Sequence, residues 1–234
     1  GSGPTPLGAK IDWHTDFKSG HRWNPKTYYR RIRPAPYPGG YDIKVPWELS
    51  RCQHFARLGQ AYWITGDEKY ASEFVAEVED WLSRNPYPLG VNWASTMDIS
   101  IRVVNWIWGY NYFKASASLT SEFRLKLHKN LLLHGRHIYR NLENQGAFTG
   151  NHYLSNLVGL VYLGVLYPEY EEAGQWREFG LAELEREMFN QVYPDGVNFE
   201  ASTAYHRLVT ELFLSATILA KMNGHSFGPS YMTR

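Results

Sequence analysis

Thr149-Gly150-Asn151-His152 stands directly before a long apolar run of helical character, which places Asn151 and His152 at a helix mouth. At such a mouth the first backbone N–H groups lack partners and the helix dipole favours negative charge, so the position suits a carboxylate. An amide and an imidazole beside it add hydrogen-bond donors. Further along, Tyr205-His206-Arg207 falls one to two turns into another helical segment, with Ala201 and Ser202 four and three residues before Tyr205 on the same face. Small neighbours leave the phenol accessible, and a phenol can move a proton. Amide, imidazole and phenol together suit proton chemistry next to an acid group. Taken singly, each also has a plainer reading: Asn151 as a cap, His152 and Tyr205 as packing, His206 and Arg207 as solvated side chains.

Other sets are weaker. Trp47, Asn92-Trp93 and Glu200 stand at the openings of further helical segments, and indole faces pack on the C–H faces of sugars as readily as they fill cores. With 9 Trp and 17 Tyr in the chain, an aromatic-rich core is the plain alternative. Glu48 and Arg51 are spaced one turn apart, as a local ion pair requires. His134 and His137 have an i,i+3 spacing without an evident carboxylate partner, so no metal is expected, nor any other cofactor. There is no Gly-x-Ser-x-Gly elbow, phosphate loop or His-Glu-x-x-His. Cys52 is the single cysteine, which rules out an internal disulfide and a multi-thiolate metal site, and its surroundings give no context for a nucleophile.

The elements that must position these residues follow from punctuation and periodicity. Residues 1–45 carry Pro4, Pro6, Pro25, Pro34, Pro36 and Pro38 with Gly39-Gly40, a density that forbids long helices and predicts an irregular arm. Residues 46–234 read as one all-α domain, with apolar residues at spacings of three and four over 46–64, 68–84, 94–115, 120–142, 151–167, 172–192 and 200–223. The run Leu154 to Tyr167, interrupted by Ser155 and Asn156, falls short of the roughly 20 residues of a membrane span and predicts a buried helix. Consecutive pairs suggest an α/α array. An aromatic shortly before a serine recurs at alternate helix openings: Trp47 with Ser50, Trp93 with Ser95, Tyr153 with Ser155 and Phe199 with Ser202. The interval is about 50 residues, the length of one helical hairpin. The array therefore predicts Trp47, Asn92-Trp93, Asn151-His152 and Glu200 on one rim, although the pattern also fits a habit of packing and capping. Lys+Arg 24 against Asp+Glu 23 leave a net charge of +1, so no basic field points to nucleic acid and an anionic ligand must be recognised locally. The compartment stays open, with a periplasmic or secreted setting favoured over a cytoplasmic one.

Val45-Pro46-Trp47-Glu48-Leu49-Ser50-Arg51, Asn92-Trp93 with Arg102 and Trp106, Gly150-Asn151-His152-Tyr153-Leu154, and Asp195-Gly196 leading to Glu200-Ala201-Ser202 and Tyr205-His206-Arg207 form an ordered set. Together they resemble the heparinase II/III-like polysaccharide lyases, related to alginate and oligoalginate lyases. The resemblance implies an incomplete (α/α) toroid, with a C-terminal β-sandwich that this sequence lacks, and it implies that the helices stop short of a complete toroid. It implies β-elimination at an anionic, uronic-acid-containing polysaccharide, leaving a 4,5-unsaturated uronyl end, with Asn151, His152 and Tyr205 catalytic. Trp47, Glu48, Arg51, Asn92, Trp93, Glu200, His206 and Arg207 would then contact substrate. A further family histidine has no counterpart here. Missing helices would leave an apolar edge beside 208–220, open to self-association. A uronyl C5-epimerase, a glycoside hydrolase and a non-catalytic glycan-binding domain are the alternatives.

Overall fold

A computed structural model describes residues 5–8, 10–33, 38–146 and 149–234, so Pro4, Pro34 and Pro36 of the arm lie outside the described residues. Among the described residues the regular structure is helical: α1 (Lys44–Ser50), α2 (Phe55–Thr65), α3 (Lys69–Arg84), α4 (Thr96–Phe113), α5 (Ser121–Arg140), α6 (Asn151–Leu166), α7 (Ala173–Gln191), α8 (Thr203–Met222) and α9 (Pro229–Thr233). The all-α expectation holds, and α3 to α8 fall on the six later segments that periodicity marks. The segment expected as one helix over 46–64 is two, because Cys52 turns left-handed at φ 54 and breaks the ladder between α1 and α2. The short α9, opened by Pro229 at its first turn, has too few residues to show a period. The chain gathers into two compact units, residues 1–129 and 130–234.

In the first unit α2 packs on α3 and α4. α3 buries Ala71, Phe74, Val78 and Trp81, a stripe at three- and four-residue spacing. Its aromatic core sets Trp81 edge-on to Trp93 and Trp106, with ring centroids 5.7 and 5.3 Å apart. The irregular arm is part of this core: Trp13 is fully buried and donates its indole N–H to Asp80 at 2.8 Å, while His14 Nε2 lies 3.0 Å from the Arg84 carbonyl.

In the second unit α6 is the central element and packs on both α7 and α8. It is buried almost all round from Tyr153 to Gly164, as its nearly uninterrupted apolar sequence requires. Gly164 is fixed by packing, since a Cβ there would meet the Ala173 carbonyl and the Arg177 nitrogen of α7 at 2.6 Å. On α8, Leu214, Ile218 and Met222 form an exposed apolar stripe at four-residue spacing.

The recurrent serines play two different parts. Ser95 and Ser202 are true N-caps, accepting the backbone N–H of Asp98 and Tyr205. Ser50 and Ser155 lie inside helices, where Ser50 receives the Trp81 indole N–H and Ser155 donates to the Asn151 carbonyl. The repeat in sequence is thus only partly a repeat in structure.

Candidate active site

Helix α6 begins at Asn151 behind Gly150, which brings no side chain to cap it. The cap comes from elsewhere in the second unit. Glu200 Oε1 accepts the Asn151 backbone N–H at 3.2 Å, and both carboxylate oxygens accept the Asn151 side-chain amide, at 2.8 and 2.9 Å. A negative charge therefore sits on the positive end of the helix, where dipole and unpaired N–H groups favour it. Asn151 is 7% exposed, and its Oδ1 is buried without a hydrogen-bond partner.

The chain on either side is firmly tied. Asn198, itself buried, donates to the Gln191 carbonyl at the end of α7 and accepts the Glu200 N–H at 3.1 Å, so the turn after Asp195-Gly196 aims Glu200 at α6. On the other side, the fully buried Glu187 of α7 accepts the Thr149 hydroxyl at 2.5 Å and the Gln191 amide at 2.7 Å, while Gln191 also reaches the Gly150 carbonyl. Buried polar groups persist when paired in this way, and here they fix the loop that enters α6.

His152 projects outward from the same turn, with Nδ1 3.0 Å from Glu143 Oε1. Glu143 is held in turn by Asn156, which accepts its backbone N–H at 2.8 Å and donates to Oε2 at 3.1 Å. Glu143, Thr149, Gly150, Asn151, His152, Phe199 and Glu200 line an open cleft of about 430 Å³. Asn151, His152 and Glu200 are thus brought together as the sequence predicts.

Tyr205 lies in the first turn of α8, 47% exposed, with its N–H on Ser202 Oγ at 3.4 Å; among the described residues its hydroxyl makes no hydrogen bond. Tyr153, the neighbour of His152 on α6, is chemically different. Tyr153 is buried and donates to Glu183 at 2.5 Å, and burial first, then that carboxylate, push its phenol well above the ordinary tyrosine range. Tyr205 is by contrast half exposed, and it is not among the residues that line the Asn151 cleft. His206 and Arg207 are exposed on α8. His206 lines a separate cavity of about 260 Å³ with Met188, Val209 and Phe213, and its Nδ1 accepts the Asn198 N–H at 3.4 Å, so it is not a wall of the Asn151 cleft.

The first-unit residues of the expected site have other work. Trp47, 8% exposed, donates its indole N–H to the Val91 carbonyl at 2.7 Å, so two helix openings do meet in this unit. Trp93, 1% exposed, is enclosed by Trp81 and Tyr87 and bonds the Asn85 carbonyl. Asn92 spends its amide on the Trp13 carbonyl and Asn85 Oδ1. Indoles so enclosed have no face to stack on a sugar, which corrects the expectation that Trp47, Asn92 and Trp93 contact substrate directly. Arg51 does not pair with Glu48: it turns to Asp98 at the start of α4 at 2.5 Å, and Glu48 is left exposed. His134 and His137 are buried within α5, and among the described residues no group of three His, Cys, Asp or Glu is placed to hold a metal.

Sequence reasoning missed Glu143 and Glu187. Glu187 had left a trace, a carboxylate in the buried row Leu184, Glu187, Met188, Gln191, where a charge must be satisfied. Glu143 had none, since it lies in irregular chain before α6.

The helical fold has counterparts among known proteins. A family profile described as Heparinase II/III N-terminus matches residues 4–234. A heparin-sulfate lyase of Bacteroides stercoris is 31% identical over 204 residues, covering 78% of this chain and 30% of that protein. One from Pedobacter heparinus is 32% identical over 185 residues, covering 77% of this chain and 27% of its own length. The crystal structure of a heparan sulfate lyase from Pedobacter heparinus superposes with a TM-score of 0.70 at 28% identity, over 97% of this chain and 35% of that one. The chain thus spans about a third of the length of the relatives it matches.

Proposed function

The chain belongs to the heparinase II/III family, and on that premise we propose that it supplies the helical half of a reaction centre that cleaves a uronate-bearing glycosaminoglycan of the heparin or heparan type by β-elimination. The observation that carries the reading is the mouth of α6, where the Asn151 amide and the first helical N–H converge on one carboxylate. The C5 hydrogen of a uronic acid is hard to remove while the adjacent carboxylate keeps its full charge. Donors aimed at that carboxylate, with His152 held beside them by Glu143, stabilise the enolate-like transition state.

Tyr205 carries the proton. As a phenolate it takes the C5 hydrogen, the C5–H electron pair becomes the C4=C5 double bond, and the C4–O bond breaks. The phenol then returns its proton to the departing glycosidic oxygen. A half-exposed side chain whose hydroxyl makes no hydrogen bond among the described residues supports that role. The relatives named as heparin-sulfate lyases support the substrate class.

The test is Tyr205→Phe in a protein carrying this chain at the length of its relatives, followed by the absorbance of unsaturated uronyl product from heparan sulfate. Folding should be retained and turnover should fall roughly 10²-fold or more, the usual scale for acid–base catalysis. Equal rates at matched folded concentration would remove Tyr205 from the reaction.

A further inference from the structure

The Asn151 side-chain amide faces the Glu200 carboxylate, its nitrogen 2.8 and 2.9 Å from the two oxygens, while the backbone N–H of the same residue lies 3.2 Å from Glu200 Oε1. The anion seat at the start of α6 is therefore already filled by a carboxylate of the protein. A uronate approaching the same donors meets a like charge in its place. We propose that Glu200 is the specificity-determining residue of the cleft: it closes the seat in the unliganded protein and yields it only to a ligand that brings a carboxylate of its own. The inference rests on the reading that this seat receives a uronate.

Three features make the exchange possible. Among the described residues Asn151 Oδ1 is buried without a partner and Glu200 alone orients the amide, so a new acceptor can take it without breaking another bond. Glu200 forms a wall of the open cleft, which gives its side chain somewhere to go. Its backbone is pinned through Asn198 Oδ1, so the carboxylate can leave while the turn stays in place. Selectivity follows from the chemistry of the exchange. A neutral hydroxyl cannot match an anion on an amide donor and a helix N-terminus, so neutral sugar units are refused before any reaction step.

The experiment titrates D-glucuronate, with glucose as the neutral comparison, into the 234-residue chain and follows the Asn151 side-chain NH₂ resonances by NMR. Glucuronate should perturb them in the unaltered protein, and Glu200→Ala should bind it about tenfold or more tightly, the scale of one close like-charge clash removed. Glucose should gain nothing. Should Glu200→Ala not fold, Glu200→Gln keeps the length and one acceptor oxygen while removing the charge, and should also bind glucuronate more tightly. Equal or weaker binding by the folded variant overturns the proposal and leaves Glu200 as a simple support for Asn151. If elimination by the longer protein still depends on Tyr205, the functional reading survives that loss. Glucuronate binding no better than glucose in every version would overturn both.

Discussion

Asn92 and Asn151 each precede or open a helix beside an aromatic or histidine neighbour, and each is nearly buried, yet they end in opposite circumstances. Asn92 gives its amide hydrogens to two neutral oxygens, the Trp13 carbonyl and Asn85 Oδ1, in a core sealed by Trp81 and Trp93. Asn151 turns its amide to the two oxygens of a carboxylate at the wall of an open cleft. One asparagine closes a fold and the other holds a charge within reach of solvent. The difference lies in the acceptor and in what covers it, and neither can be read from the side chain alone. The sealed core around Asn92 also buries a cation, Arg102.

That buried cation offers the strongest way to break the comparison. Arg102 lies fully buried with its guanidinium 4.2 Å over Trp81 and 5.6 Å from Trp93, and it donates to the Asn92 carbonyl at 3.1 Å. Burial pushes its pKa down to about 9, still charged at neutral pH. Arg102→Ala should lower stability by about 3–5 kcal/mol in urea unfolding, since it empties a packed site and strands its partners. A loss well under ~1 kcal/mol would mean that the first unit is not organised around this residue.

The two asparagines provide a matched pair. Asn151→Ala should reduce elimination by the longer protein roughly 10²-fold, as removal of one oxyanion donor does, while its unfolding midpoint moves little. Asn92→Ala should do the reverse, costing about 1–3 kcal/mol of stability by leaving buried acceptors unpaired, with turnover by the folded fraction unchanged. Similar stability losses for both, or similar activity losses, would erase the distinction.

The smallest effect belongs to Cys52. Burial pushes its thiol up to about 12, from an ordinary value of 9.0, so almost no thiolate exists at neutral pH in the folded state. Iodoacetamide at about pH 8 should label it only as fast as the first unit opens, and labelling should accelerate with urea. Rapid labelling without denaturant would show a looser first unit than its packing indicates.

How much was legible beforehand depended on which physical signal each feature leaves. Helices α3 to α8 were legible because burying one face forces apolar residues to recur every three or four positions. The break at Cys52 was not, since neither proline nor glycine marks it and the left-handed turn is imposed by packing. The α6 mouth was legible from Gly150-Asn151 before an apolar run, and its link to Glu200 from the spacing of helix openings. That Trp47 and Trp93 are enclosed was not, because an indole reads the same in a core or on a cleft wall. Their partners come from the arm and the 85–93 turn, which have no period to extrapolate.

Between Glu200 and α8 stands Ala201, with φ 51, a backbone state that a non-glycine residue enters only when its surroundings insist. A glycine would reach the same state easily and many others besides. The methyl group of Ala201 therefore acts as a tolerance limit: it trims the directions in which the Glu200 carboxylate can be presented and fixes how Ser202 enters the helix that carries Tyr205. The residues proposed as proton carrier and anion guard are joined by a stiff link, so an error in aiming one becomes an error in aiming the other.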